Sequence, residues 1–493
     1  MIKNKHLLLL LILFFSYFFL RLINLTSLPI FNDESTYIRY GIHQLNEPSH
    51  QPYSLLIGKE PLLPYFYAVI GTISGNLLIG ARLVTIFFGF LTVVGLYLFT
   101  NELFGKKAAF FSSLFSIVTP YTVFFDRLAL LDSSVSTIAI WTLYFTNRML
   151  QKPQWRYAFA LGAVMGLGLW TKSSTLFYIF LPAIAYCIYY YLHRDPHGTR
   201  LKMFSSAVVF CLIIFLPLYT NQFYQELLVL NGQYTYPLYS VFLFPFTVWW
   251  KNLSDMFLWL FFYLTPPLFL FSIAALSIFF KNKKLWIVLL WFFLPMLYEI
   301  LYAKLFTSRH TLLLTIPLFI FAGYGFSRLW DQRKLAAYGL LGIFLIWSVY
   351  SDGILFTNPQ HYPSLFLGAA KDDATQYVHG FSSGYGVLDA ITYLEGKAQT
   401  NRIIVLIRDD HGNPEDAMVA YLDYKSNIII LPMDNPQVDV PLVFKKIGTS
   451  IPIYFVSRGA YYAGLEKYFA NEKKFLKPND AEFVGVEQLK LMP

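Results

Sequence analysis

The 493-residue chain is 56% hydrophobic and 19% aromatic, only 14% charged, and carries a formal net charge of +9. Soluble domains hold roughly a quarter of their residues as charges, so the composition excludes an ordinary globular enzyme and points to a bilayer. Cys187 and Cys211 both lie in apolar runs, which excludes a disulfide framework or a cysteine metal site and reads both as small core residues.

In chain order, the first hydrophobic run, 7–20, is long enough with its flanks to cross a bilayer. It lacks a small-residue cleavage site and further apolar runs follow, so it reads as a first span at about 7–23 and not as a removed signal peptide. The remaining spans of an expected eleven fall at about 80–103, 107–125, 133–149, 157–171, 175–192, 203–220, 256–280, 285–303, 309–329 and 336–356. An apolar stretch at 62–74 is too short to count.

Alternate connections carry basic residues: Lys3 and Lys5, Lys106 and Lys107, Arg148, Lys152 and Arg156, Arg194, Arg200 and Lys202, Lys281, Lys283 and Lys284, then Arg328, Arg333 and Lys334. The positive-inside rule makes these cytoplasmic. An odd number of spans then puts the first loop and the C-terminus on the outer face of the cell (plasma) membrane, with the N-terminus inside.

From about residue 357 the balance of charge changes, with 13 Lys+Arg against 16 Asp+Glu, where the preceding residues hold 25 against 13. Strand-like runs at 403–407, 428–431 and 453–456 are interleaved with helix-like stretches at 415–424 and 461–471. Such alternation predicts a small α/β domain with a partly parallel sheet. The expected fold class is therefore a polytopic α-helical membrane protein of about eleven transmembrane helices (residues 1–356) with a small C-terminal extracytoplasmic α/β domain (357–493).

Polar residues in the outward loops need a reason to be there. Asp33-Glu34 follows the first span directly, and two adjacent carboxylates at a membrane mouth are costly unless something uses them. They read either as an acidic start to a helix at 35–46 or as a catalytic or ligand-binding pair. In Gly58-Lys59-Glu60-Pro61, the proline suits the first turn of an interfacial helix. Lys59 then either snorkels to the interface or clamps a phosphate. The next outer loop runs from Asp126-Arg127 to Asp132, which either caps the helix starting at Ser133 or serves the chemistry. Thr171-Lys172 and Ser308-Arg309-His310 complete a set of polar groups that several helices bring to one face.

The order of these motifs resembles the GT-C glycosyltransferases, and among them the protein O-mannosyltransferase and lipid A aminoarabinose transferase branch. The matching residues are Asp33-Glu34 with Tyr37, Lys59-Glu60-Pro61-Leu62, Arg127 with Asp132, Gly166-Leu167-Gly168-Leu169-Trp170-Thr171-Lys172, and Arg309 with Pro317. The resemblance covers about residues 7–330. His310 and Glu60 depart from it, since relatives often have Tyr and Pro there.

The resemblance implies an inverting transfer of a hexose or amino-sugar from a polyprenyl-phosphate donor to a hydroxyl on a lipid, glycan or protein at the outer membrane face. Asp33 would be the base, since removing an acceptor proton is a carboxylate task, and Glu34 would orient acceptor or partner cations. Lys59, Arg127 and Arg309 would neutralise the leaving lipid phosphate. Lys172, Asp132, His310 and Tyr37 would line the substrates. No cofactor is expected, although some members of the superfamily use a divalent cation, and no nucleic acid is a partner.

A transporter or flippase of a lipid-linked or small polar substrate would also be polytopic. It should show repeat-related helices broken at the midplane, and no internal repeat is visible here. A purely partner-binding membrane protein leaves the carboxylates and cations without a use.

Overall fold

A computed structural model describes residues 2–193, 198–279, 282–423, 425–446, 451–459, 465–478 and 482–490. Arg194 and Lys281 of the basic connections, and positions 461–464 of the helix expected at 461–471, lie outside these described residues. Two compact units emerge. The first comprises Met1–Asn24, Gln51–Leu63 and Arg82–Thr357; the second comprises Leu25–His50, Pro64–Ala81 and Asn358–Pro493. The sequence does not foresee that residues 25–50 and 64–81 group with the C-terminal residues.

The helices in chain order are α1 (Ile2–Leu22), α2 (Asn32–Asn46), α3 (Leu62–Ser74), α4 (Leu77–Phe104), α5 (Lys106–Val118), α6 (Pro120–Asp126), α7 (Asp132–Gln151) and α8 (Trp155–Leu169). They continue as α9 (Phe177–His193), α10 (Thr199–Tyr219), α11 (Tyr224–Asn231), α12 (Phe246–Tyr263), α13 (Pro266–Phe279), α14 (Trp286–Tyr302), α15 (Thr315–Gln332) and α16 (Lys334–Thr357). Short α17 (Lys371–Ala374), α18 (Val387–Ala398), α19 (Glu415–Leu422) and α20 (Pro436–Lys446) belong to the second unit.

Among the described residues, five helical segments are long and apolar enough to cross a membrane: Leu77–Phe104, Ser173–His193, Thr199–Tyr219, Ser308–Gln332 and Lys334–Thr357. Counting each of two bent pairs as one span raises the number to seven. The first, α5 with α6, turns by 61° where Pro120 follows Thr119 and cannot continue the hydrogen-bond ladder. The second, α12 with α13, turns by 114°, so the span expected at 256–280 is not one straight helix. Here Thr265 takes a left-handed φ of 73° just before Pro266. Helices do occupy 7–22 and 286–302, but they are short. The expected 133–149 span forms α7, whose Ser, Thr and Asn residues are all buried within the unit; a helix surrounded by other helices does not need a uniformly apolar surface.

Close packing in the first unit relies on small residues. A Cβ on Gly162 would stand 2.5 Å from the Ala207 carbonyl oxygen, and one on Gly166 would stand 2.8 Å from Ile214 Cβ. Glycines one turn apart thus let α8 lie directly on α10, the usual solution where lipid supplies no hydrophobic drive between helices. Cys211 is buried in this contact, whereas Cys187 is exposed on α9, against the expectation that both are core residues; both are free thiols.

A buried ion pair fixes the end of α1. Arg21 is fully buried; its Nη2 lies 3.2 Å from Asp126 Oδ2 at the end of α6, and it also donates to the Ile117 carbonyl. Ser133 Oγ donates to Asp126 Oδ1 at 2.8 Å and Tyr17 OH to Oδ2 at 3.3 Å. Next to it, Arg127 donates to the carbonyls of Leu20, Arg21, Ile23 and Asn24, which closes the C-terminal turn of α1.

The second unit contains a five-stranded sheet of β1 (Ile403–Arg408), β2 (Ile428–Met433), β3 (Ile453–Arg458), β4 (Phe469–Leu476) and β5 (Phe483–Leu489), in the order β2-β1-β3-β5-β4. The three strands read from the sequence are mutually parallel, as β1 pairs in parallel with β2 and β3, and β5 and β4 add antiparallel. Residues 403–407 are buried without interruption, because parallel strands are covered on both faces. Ile404, Leu406 and Phe455 pack with Val440 of α20. The helix expected at 461–471 is not found over its described part: Glu466–Tyr468 is one 3-10 turn, and from Phe469 the chain is strand β4.

Removing one partner of a buried pair leaves the other charge without compensation, which costs about 3–5 kcal/mol. Asp126→Ala should therefore lower the thermal stability of the detergent-solubilised protein steeply. An Arg21→Met/Asp126→Leu double substitution should recover most of the loss. A double variant no more stable than Asp126→Ala would show that the pair is not what secures α1.

Candidate functional site

In the first unit, five residues singled out by the sequence gather at helix ends. Asp132 opens α7, Lys172 follows α8, and Arg309 and His310 stand in the 3-10 turn Ser308–Leu314 that leads into α15. Lys59 precedes α3. Lys172 Nζ lies 2.7 Å from Asp132 Oδ1, and Arg309 and His310 also act on the Asp132 charge. His310 in turn senses Lys172, Asp132, Arg309 and Lys59. Asp132 is not the N-cap expected from its place before Ser133. The N-cap is Leu131, and the Asp132 carboxylate is drawn to the lysine instead.

Local sequence explains these placements. The glycine-rich end of α8 stops at Leu169, and the amides of Thr171 and Lys172 close onto the Gly168 carbonyl at 2.8 and 3.1 Å. Trp170 receives the Leu62 amide at 3.1 Å, which ties the start of α3 to the Lys172 turn. Tyr121, stacked on Tyr263 at 5.1 Å, hydrogen-bonds the Ser308 carbonyl and so fixes the turn that carries Arg309.

Lys59 is half-buried; its Nζ donates to Tyr234 OH at 3.0 Å and sits 4.7 Å from the centre of that ring. Its neighbour Glu60 is buried and accepts from Ser173, whose Oγ receives Asn231 Nδ2 at 2.7 Å. Burial pushes the Glu60 carboxyl above its ordinary range, against the opposing pull of Ser173, Lys59 and Lys172.

Arg127, expected to face a phosphate, is placed otherwise: it is buried and directed at the carbonyls that end α1. Residues the sequence reading passed over include Tyr234, Asn231 and Glu299, the last interacting electrostatically with Lys172 and Asp132. A single carboxylate within the apolar run of α14 was a signal for Glu299; Tyr234 and Asn231 gave none.

In the second unit, Asp33 and Glu34 lie in the first turn of α2. Glu34 is buried and its Oε2 accepts the Phe31 amide at 2.9 Å, the carboxylate arm of a capping box. Asp33 is partly exposed, with Asn32 Nδ2 3.5 Å from its Oδ1. The pair thus divides: Glu34 builds the helix start and Asp33 stays accessible. Tyr37 is buried one turn further on. Among the described residues, no group of three or more His, Cys, Asp or Glu side chains is placed to hold a metal ion.

Known structures share this architecture. ArnT from Cupriavidus metallidurans bound to undecaprenyl phosphate superposes with a TM-score of 0.64 at 14% identity, covering 98% of both chains. The fold is that of the GT-C glycosyltransferases. The Archaeoglobus fulgidus oligosaccharyltransferase in its apo form superposes with a TM-score of 0.51 at 13% identity, over 98% of this chain and 74% of that one. Mycobacterial arabinofuranosyltransferase AftD gives 0.50 at 11% identity, over 98% and 40%. Residues 58–220 match the family model of dolichyl-phosphate-mannose-protein mannosyltransferase. No curated protein matches the chain. The GT-C fold and its apolar helices make this an integral membrane protein. Lys59, Arg127, Asp132 and Lys172 lie within the family-matched stretch, and Asp33 and Arg309 lie outside it.

Proposed function

We propose that the protein transfers a sugar from a polyprenyl-phosphate donor to an acceptor hydroxyl, with inversion at the anomeric carbon. The observation that carries this reading is the gathering of Lys172, Arg309 and His310 around Asp132 at helix ends of a GT-C fold, with Lys59 acting on the same His310. A lipid phosphate leaves with a charge that grows through the transition state, and fixed cations stabilise it there more than in the ground state. Such a leaving group needs no protonation, so the reading requires no general acid. It assigns no step to a cofactor.

Asp33 is assigned the role of base. Its partial exposure suits contact with an acceptor, while Glu34 is occupied in capping α2. Lys59 and Arg309 are assigned to the phosphate. Lys172, held by Asp132, helps to set the charge of the same cluster. Arg127 is left out, since it closes α1. Undecaprenyl phosphate bound to ArnT supports a lipid phosphate of this type. The sugar is a hexose or amino-sugar and the acceptor a lipid, glycan or protein. The alternating basic connections support an orientation with the N-terminus in the cytoplasm, and Asp33 and the C-terminal sheet outside.

Two tests follow from these roles. Asp33→Asn keeps the side-chain shape but cannot take a proton, so transfer should fall by roughly 10²–10⁴-fold with donor binding retained. An asparagine at a helix start is about as good as aspartate, so a purely structural Asp33 forecasts a silent variant. Lys59→Ala and Arg309→Ala should each weaken donor use by about 1.5–3 kcal/mol, the worth of a charged hydrogen bond, with little change in thermal stability. Ordinary donor dependence in both would return them to interfacial anchoring.

Orientation is tested separately. A reporter fused after Thr357 should register as extracytoplasmic, and one placed near Lys284 as cytoplasmic. Any other result overturns the proposed sidedness.

A further inference from the structure

The C-terminal sheet meets the helix that carries Asp33 through one loop. Residues 409–416 leave the C-terminal end of β1 and enter α19; in open parallel sheets this is the edge where functional loops collect. Asp416 is fully buried and its carboxylate is turned to α2. Its Oδ2 accepts Thr36 Oγ1 at 2.6 Å and the Gly412 amide at 2.7 Å, and its Oδ1 accepts Arg39 Nη1 at 2.6 Å. Thr36 and Arg39 sit one and two turns beyond Asp33 on the same short helix.

Residues just before Asp33 are held by the same loop. The Asn413 amide donates to Asn32 Oδ1 at 2.8 Å, and Asn413 Nδ2 to the Ile30 carbonyl at 2.9 Å. Gly412, with φ of 94°, comes so close that a Cβ would stand 1.8 Å from Asn32 Oδ1. The loop is itself braced, as Arg458 from the end of β3 donates to Glu415 Oε2 at 2.8 Å and to the His411 carbonyl at 2.6 Å. A helix of fifteen residues does not need hydrogen bonds across some 380 positions of sequence merely to stay helical. Charge-assisted bonds to a buried carboxylate are directional and allow one orientation of α2.

We propose that Asp416 is a positioning residue: by fixing the first turns of α2 it fixes the direction of the Asp33 carboxylate, and the C-terminal sheet thereby takes part in the reaction. This rests on the reading of Asp33 as base. Misplacement of a reacting group by an ångström is enough to lower turnover on the order of 100-fold.

The test uses the full chain in lipid nanodiscs. Amide hydrogen exchange at residues 31–39 is compared in wild type, Asp416→Asn, Asp416→Glu and the milder Thr36→Val. Turnover of undecaprenyl-phosphate mannose is followed in the same preparations and in the Asp33→Asn background. Faster exchange over 31–39 is expected in Asp416→Asn, with kcat lowered 10- to 100-fold, KM for the donor little changed, and partial recovery in Asp416→Glu. Because Asp416 acts through Asp33, Asp416→Asn should add nothing to Asp33→Asn. Unchanged exchange, or losses that multiply in the double variant, would overturn the proposal. Full turnover in Asp33→Asn alone would sink the assignment of the base, and the exchange result would still decide whether Asp416 holds the helix.

Discussion

The fold of the first unit depends on satisfying charge where water is absent. Arg21 and Asp126 meet within buried surroundings, joined by Tyr17 and Ser133. Neither charge is tolerable there alone, so α1, α6 and the start of α7 are constrained to meet at one point. Arg127, the next residue, closes the carbonyls that end α1. Asp132 lies only six residues beyond Asp126, so the same constraint fixes the position from which its carboxylate reaches Lys172. The ion pair that secures the helices is thus close in sequence to the cluster assigned to the donor phosphate.

Similar logic divides the polar residues by task. Glu34 and Arg127 cap helices; Asp416 and Asn413 hold α2; Lys59, Lys172 and Arg309 carry half-buried charge. Capping groups are turned into backbone and buried, whereas groups that meet a substrate must keep a path to it. Burial and the direction of each hydrogen bond therefore sort residues that look alike in the sequence.

Much of this is legible in the amino-acid sequence. Apolar runs announced most helices, the runs at 403, 428 and 453 announced the parallel strands, and the order of short polar motifs announced the GT-C fold. The bends were written in Thr119-Pro120 and Thr265-Pro266, although hydropathy alone merged each pair into a span. Strand β4 was hidden because it is the edge of the sheet, where Lys473 and Lys474 discourage pairing with another chain and dilute the strand pattern. Asp126 and Asp416 were not legible at all. Their partners lie 105 and 380 residues away, and no local pattern distinguishes a carboxylate that will be buried by a distant arginine or threonine from one in a solvated loop.

The central claim is sugar transfer from a lipid phosphate. The most direct measurement is incubation of the purified protein in nanodiscs with a panel of undecaprenyl- and dolichyl-phosphate sugars, following release of the polyprenyl phosphate. The account predicts turnover of at least one donor, lost in Asp33→Asn. Absence of turnover across the panel, with lipid-linked sugar instead carried across a sealed bilayer by the reconstituted protein, would contradict it.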